Sequence, residues 1–313
     1  MSSSRRITIT ATLLLAISFA GAVITQNRLD RLRSGASLQE VLYITSPNAL
    51  KRLSLGYNGL LADIYWTRAV QYFGHKHQAR SSQYALLAPL LDITTSLDPH
   101  LVVAYEFGAN FLSAKPPDGA GAPEKAVQLM QKGIEANPNE WRLYYNLGFI
   151  YYWELKDYKN AAISFERGSQ RPDAHPFLKV LAANMAQHAG DTQMARLLWT
   201  TTFQSAQDRQ VKVNAVAHLR ALQVDDEVAA LEELVQQYKH RTGRMPAGFA
   251  DMIREGLLPG IPIDPARKPY KLMPDGRVEV RNPDDIPFIT KGTPPGYKPP
   301  PPVLDNVKPE IPN

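Results

Sequence analysis

The stretch that decides the fold runs from residue 139 to residue 172 and reads NEWRLYYNLGFIYYWELKDYKNAAISFERGSQRP. Apolar and aromatic side chains recur in it at helical spacing. These side chains are Tyr144, Leu147, Tyr151, Ala161 and Phe165. Residues 156–158 supply a polar turn, and Pro172 ends the second helix because proline cannot continue it. The stretch therefore predicts two helices joined by a short turn.

Small residues mark the places where these two helices cross. Gly148 has no side chain at its contact, so a neighbouring helix can approach it closely. Ala161 and Gly168 keep the second helix thin at the same crossing. The spacing of small and large residues thus predicts a tightly packed hairpin.

This pattern resembles the tetratricopeptide repeat, a helix–turn–helix unit of about 34 residues. The residues that carry the resemblance are Tyr144, Leu147, Gly148, Tyr151, Ala161, Phe165 and Pro172. Two positions depart from the family pattern. Leu155 looks like a one-residue insertion in the turn, and Gly168 stands where the family prefers alanine. Such hairpins occur in arrays of about three or more, because one alone cannot bury its apolar face.

Less regular copies of the pattern flank the central hairpin. The matching upstream residues are Phe107, Gly108, Phe111, Ala126, Met130, Gly133 and Pro138. The matching downstream residues are Ala182, Ala183, Ala186, Gly190, Asp191, Ala195, Trp199 and Thr202. We therefore expect an all-α solenoid of tetratricopeptide-like hairpins over residues 100–205. A degenerate hairpin at 46–99 precedes it, and capping helices at 206–240, one over 211–224 and one over 227–240, follow it.

The N-terminus carries an uncharged run from Ile7 to Thr25, with Arg5 and Arg6 before it and Arg28 after it. Roughly 19 such residues are just enough to span a bilayer as a helix. One interpretation is an uncleaved anchor over residues 1–27. A second is a signal peptide cleaved after the small residues 20–22, and a buried helix is a third. The first two place the bulk of the chain on the periplasmic side of the cytoplasmic membrane.

The composition changes after residue 240. A Thr-Gly-x-x-Pro turn at 242–246 is followed by a short helix at 250–255 and by Asp275-Gly276 between two short alternating runs, which is typical of a tight β-hairpin. This order resembles the globular end of the major pseudopilins of type II secretion, although Ala266-Arg267 replace the Trp-Gly of that family. No prepilin-peptidase signature precedes Ile7, so the chain is not itself a pilin. We expect a small α+β appendage at 241–281.

Residues 282–313 contain ten of the 25 prolines of the chain. The run Lys298–Pro302 favours an extended polyproline conformation, which forms no internal hydrogen bonds. We therefore expect a disordered Pro-rich tail, because such a composition does not form a packed core. A recognition segment for a partner protein is the alternative.

Composition and motifs exclude several function classes. The chain has no cysteine and a net charge of only +5, without a basic stripe, so we expect neither thiolate metal sites nor nucleic-acid binding. No nucleophile elbow, phosphate loop, dinucleotide turn or zinc-protease motif is present. His75 and His77 have no further ligand at metal-binding spacing. We expect no catalytic residue, no cofactor and no metal.

The tetratricopeptide resemblance implies a binding groove, because in that family the first helices of successive repeats line a concave surface. The implied groove residues are Arg142, Tyr145, Phe149 and Tyr152, with Trp153 at the lip, followed by Phe177, Val180, Asn184 and Gln187. Aromatic residues beside an arginine are suited to anchoring a peptide, and packing between helices is the other interpretation of the same aromatics.

The sequence thus predicts a non-enzymatic scaffold or adaptor that binds protein partners in the bacterial cell envelope. One alternative is a structural or assembly component of a secretion or type IV pilus-like machine. Another is a periplasmic peptide- or glycan-binding module.

The predicted topology is testable with a reporter enzyme that is active only outside the cytoplasm. Fused after Asn313, the reporter is expected to be active, because the run Ile7–Thr25 would export the chain that follows it. An inactive fusion would contradict this topology. Mass spectrometry of the mature N-terminus separates the anchor from the signal peptide, since a chain that starts at Val23 has been cleaved.

Overall fold

The computed structural model describes residues 46–301 together with residues 12, 15, 18–25 and 28. In this part of the chain most residues are helical, and neighbouring helices pack in pairs, as the all-α prediction requires. The chain divides into two compact units. Among the described residues from 46 onward, the first comprises residues 46–99 and 115–120, and the second comprises residues 100–114 and 121–301.

Within residues 46–99, the first unit is a helical hairpin preceded by a short helix. Its helices are α1 (Pro47–Leu53), α2 (Asn58–Gln78) and α3 (Leu87–Leu97). Helix α2 buries residues spaced three and four apart, namely Ala62, Tyr65, Ala69 and Tyr72. The Tyr84 hydroxyl donates a hydrogen bond to the Pro117 carbonyl at 2.6 Å, which ties the loop 115–120 to this unit.

The second unit begins with a series of helical hairpins. Its helices are α4 (Val102–Ser113), α5 (Pro123–Ala136), α6 (Trp141–Phe149), α7 (Tyr158–Ser169), α8 (Phe177–His188) and α9 (Thr192–Ser205). Helix α4 packs on α5, α6 on α7, and α8 on α9, and α4 also contacts α6. The side chains of Asp157 and Asp191 cap α7 and α9 at the turns that the sequence predicts.

Helix α6 ends in a π-helical turn, Ile150–Glu154. The Leu155 backbone N–H donates to the Ile150 carbonyl at 3.2 Å. A π-helical turn holds one residue more than an α-helical turn, and Leu155 is the residue that the family pattern marks as inserted. The π-helical turn therefore makes the end of α6 wider than an α-helical turn would.

Glycine permits a very close approach inside these hairpins. A Cβ atom at Gly148 would lie 2.5 Å from Cε1 of Phe165, which is wholly buried on α7. A Cβ atom at Gly133 would lie 2.7 Å from Cδ1 of Tyr105, and one at Gly168 would lie 2.7 Å from Cδ2 of Leu178. Helices can pack at these distances only where the side chain is absent.

The prediction of separate capping helices at 211–224 and 227–240 is wrong. One continuous helix, α10, runs from Arg209 to Thr242 and ends at Gly243 with a φ of 73°. Asp225 does not cap a new helix. Its buried carboxylate accepts hydrogen bonds from Thr290 N, Thr290 Oγ1 and Lys291 N at 2.7–2.9 Å. The helix continues because no glycine or proline interrupts it here and because Asp225 finds its partners elsewhere in the fold.

The second half of α10 forms a core with the segment that follows it. Residues 249–254 form helix α11 (Phe249–Arg254), and two antiparallel strands, β1 (Lys271–Leu272) and β2 (Val278–Glu279), form the predicted β-hairpin. The core residues from α10 are Val224, Val228, Leu231, Val235 and Tyr238. The Tyr270 hydroxyl donates to Glu227 at 2.5 Å, and burial raises the pKa of Tyr270, so this donor keeps its proton.

The prediction of disorder is wrong for the first part of the Pro-rich segment. Residues 283–285 form a 3₁₀ turn, and Ile286 is buried in the core beside α10. The ring of Phe288 stacks on His218 with centroids 3.9 Å apart, and Trp199 stacks on the other face of His218 at 4.1 Å. Apolar residues between the prolines thus pack against the fold, although the Pro-rich composition suggests disorder. Residues 302–313 lie outside the described part of the chain.

The predicted membrane segment, residues 1–27, also lies largely outside the described residues. Among those that the structure describes, no helix is both long enough and apolar enough to cross a membrane.

The close contact at Gly148 gives a stability test. Gly148→Ala is expected to lower the free energy of unfolding by about 1–3 kcal/mol, because the new methyl group overlaps the ring of Phe165. Gly74→Ala is the matched control, since that helical glycine has open space around it and alanine favours a helix by about 0.5–1 kcal/mol. Urea denaturation measures both variants. A Gly148→Ala variant as stable as the wild-type protein would refute the assigned contact with Phe165.

Candidate functional site

The candidate site is a cavity of about 500 Å³ in the second unit, formed by α4, α6 and the start of α8. Each of these is the first helix of its hairpin. The side chains on which its chemistry depends are Glu106, Phe107, Trp141, Arg142, Tyr145 and Phe177. The cavity is therefore a groove shared by the first helices of successive hairpins.

Aromatic rings make up most of its apolar wall. Phe107 and Phe177, from opposite sides, are each 51% exposed. Trp141 and Tyr145 lie between them on α6 in an edge-to-face arrangement with centroids 6.1 Å apart. Large rings that remain exposed in a concave surface are available to pack against a ligand.

Of the charged groups of the groove, Arg142 has an ion-pair partner and Glu106 has none among the described residues. The Arg142 guanidinium pairs with the Glu140 carboxylate at 3.0 Å and lies 4.9 Å from the centre of the Trp141 ring. Glu106 is half-buried, and in the described part of the chain it has no ion-pair partner within 4.0 Å. Burial raises the pKa of Glu106, and the nearby charge of Arg142 offsets part of that rise. The uncompensated charge of the groove is therefore negative.

A second cavity of about 600 Å³ adjoins the first on the other side of Phe177. Phe177 and His175 line both cavities, and Val180, Thr202 and Val211 continue the apolar wall of the second. The two cavities are therefore neighbours that share part of their walls.

Of the nine residues that the sequence assigns to a groove, Arg142, Tyr145 and Phe177 line the first cavity, and Val180 lines the second with Phe177. Phe149 packs on Phe165 with centroids 5.3 Å apart. Tyr145 packs on Phe149 at 4.8 Å, so it contributes to the core as well as to the cavity wall.

The remaining assigned residues lie outside both cavities. Tyr152 packs on Tyr158, with ring centroids 6.0 Å apart. Trp153 is 62% exposed, and the Lys156 ammonium lies 5.1 Å from the centre of its ring. Asn184 is half-buried and lines neither cavity.

Gln187 lines neither cavity. Its side-chain oxygen accepts a hydrogen bond from Trp199 Nε1 at 3.3 Å and lies 2.7 Å from His218 Nδ1. A side chain that satisfies two ring nitrogens inside the fold is held away from the groove. These partners lie on α9 and α10, so the position of Gln187 within α8 does not by itself reveal them.

Sequence reasoning missed Glu106, Phe107 and Trp141 as groove residues. Aligning Phe107-Gly108 with Leu147-Gly148 places Glu106 at the position of Asn146, which lines the same cavity. Extending the groove by one position, from the assigned Tyr145 to Asn146, would therefore have identified Glu106 through this alignment.

The arrangement is suited to binding. Aromatic walls with one uncompensated carboxylate fit a side chain that is partly apolar and partly cationic. Among the described residues, no group of three or more His, Asp or Glu side chains is placed to hold a metal ion. Comparisons with models of protein families and with curated proteins find no match to the chain.

Gln187 and Asn184 allow a paired test of these placements. Gln187→Ala is expected to lower the free energy of unfolding by about 1–3 kcal/mol, because Trp199 Nε1 and His218 Nδ1 lose their acceptor in a buried setting. Asn184→Ala, on the same helix, is expected to change it by no more than about 0.5 kcal/mol. Chemical denaturation measures both, and a Gln187 variant as stable as wild type would contradict the buried role.

Proposed function

We propose that this protein is a non-enzymatic scaffold or adaptor that binds a segment of a partner protein in the groove formed by α4, α6 and α8. The observation that carries the proposal is the cavity of about 500 Å³ with exposed aromatic rings from successive hairpins. Tight protein contacts depend on a few such anchors in concave, partly apolar surfaces.

We also infer that the hairpins form a tetratricopeptide-like solenoid. The repeat length of about 34 residues supports this. The glycine contacts at Gly133 and Gly148 and the position of the groove on the first helix of each hairpin support it as well. The apolar run Ile7–Thr25 supports a cytoplasmic-membrane anchor with the bulk of the chain in the periplasm.

The charges of the groove define the chemistry of the partner. Arg142 is already paired with Glu140, whereas Glu106 is left without an ion-pair partner among the described residues. A lysine or arginine of the partner would lay its apolar stem along Phe107 and Phe177 and bring its charge to Glu106. An adjacent side chain of the partner would occupy the second cavity beyond Phe177.

A random-peptide phage library selected on the full chain tests this proposal. Selected peptides are expected to carry lysine or arginine. Phe177→Ala should weaken them by about 2 kcal/mol, or roughly 30-fold, and Glu106→Gln by about tenfold, or about 1.4 kcal/mol.

Leu197→Ala is the control, because Leu197 is as exposed as the groove aromatics but lies outside both cavities. Peptides that bind the Phe177 and Glu106 variants as tightly as wild type would place the binding site elsewhere. Denaturation curves of each variant show whether lost binding reflects lost folding.

A second candidate function is a structural or assembly part of a secretion or pilus-like machine. The observation that favours it is the order of elements in the appendage, in which a long helix, the Gly243 cap, a short helix and a small hairpin follow one another. Co-purification from membranes distinguishes the two functions. A pilus or secretion subunit that is retained after Phe177→Ala supports the appendage as the binding part.

A further inference from the structure

The first unit exposes large apolar side chains where α1 passes into α2. They are Leu53, Leu55, Tyr57, Leu60 and Ile64, and they are between 46% and 86% exposed. Leu60 and Ile64 lie one turn apart on the outer side of α2, whereas its inner side is buried. Single exposed apolar residues are ordinary, but a concentrated group marks a contact surface. We call this group the Leu53–Ile64 surface.

The segment that contains this surface, residues 46–80, carries a net positive charge. Residues 46–80 contain five basic side chains and one acidic side chain, a net charge of +4 with the histidines neutral. Lys51 and Arg52 are exposed directly beside Leu53. Apolar side chains flanked by cationic ones are the composition of a segment that lies in the interface of a membrane. Anionic lipid headgroups attract each such cation near the surface.

The chain connection to the predicted anchor also favours the membrane as the partner of this surface. The chain between residue 27 and Ser46 spans 19 residue steps and extends to at most roughly 70 Å. An anchor in the bilayer would therefore keep the Leu53–Ile64 surface within the reach of this tether, and a tethered contact needs less intrinsic affinity than a free one.

We propose that the Leu53–Ile64 surface binds the membrane surface, with its apolar side chains at the boundary between headgroups and acyl chains. Lys51 and Arg52 then face anionic headgroups. The proposal uses the proposed anchor for its location, and it does not depend on the binding groove. A second copy of the chain or a partner protein on the same surface is an outcome that the experiment separates.

The chain has no cysteine, so one introduced thiol can be labelled uniquely. Leu60→Cys carries an environment-sensitive fluorophore in the full chain, reconstituted into vesicles of phosphatidylcholine and phosphatidylglycerol. The emission is expected to shift to the blue and to be quenched by lipids with brominated acyl chains. Val70→Cys is the matched control, because Val70 is exposed on α2 outside this surface and its label should be neither shifted nor quenched.

Every outcome of this experiment either supports or overturns membrane binding by the Leu53–Ile64 surface. A label at residue 60 that is shifted but not quenched by lipid is covered by protein, which overturns the proposal, as does a label that is not shifted. Reversing two charges, Lys51→Glu with Arg52→Glu, should lose the quenching in phosphatidylglycerol vesicles. Flotation of the vesicles reports the anchor separately, and the selected peptides report the groove, so a failure here is distinguishable from a failure of either.

Discussion

The absence of a side chain sets the distance between the helices of the second unit. At Gly133, Gly148 and Gly168 a Cβ atom would lie less than 3 Å from a side-chain atom of the neighbouring helix. Because α6 and α7 come this close, Phe165 is wholly buried between them, and Tyr145 and Phe149 pack on its ring. The candidate groove lies along the first helices of successive hairpins, α4, α6 and α8. The glycines do not line this groove, but they set the spacing of the helices that form it.

The stack of Trp199, His218 and Phe288 has a comparable role at the other end of the unit. It joins α9, α10 and the Pro-rich segment through nearly parallel rings. Burial lowers the pKa of His218 from 6.5 to about 3, so the ring is neutral at ordinary pH. Since the folded state favours the neutral form, this contribution is complete above about pH 6.5 and declines as the pH falls from there toward 3. The contact between the hairpins and the C-terminal segment is therefore sensitive to acid.

Local patterns predicted what local physics determines. The hairpins followed from helical periodicity and from small residues at the crossings, and the turns from Asp157, Asp191 and Asp275-Gly276. The errors concern partners that are distant in sequence. Thr290 satisfies Asp225 and thereby removes a predicted helix start, and Phe288 finds His218 although prolines surround it. Whether Tyr145 or Gln187 faces a groove depends likewise on rings that other helices supply, which spacing within one helix does not encode.

Helix α10 has a consequence for how the appendage can pass between proteins. Its second half supplies Val228, Leu231 and Val235 to the appendage core, whereas its first half belongs to the hairpins. A gene segment that begins at residue 241 would lack those three side chains. The appendage that it encodes would then lack the helical surface on which its strands pack. The smallest heritable cassette therefore begins within the helix, near Val224, and extends through Gly292. Thr290 and Lys291 donate hydrogen bonds to Asp225, and the Gly292 carbonyl accepts one from Val280 N. Recombination at that point preserves one unbroken helix, and any new host must present a helix end in register to receive it.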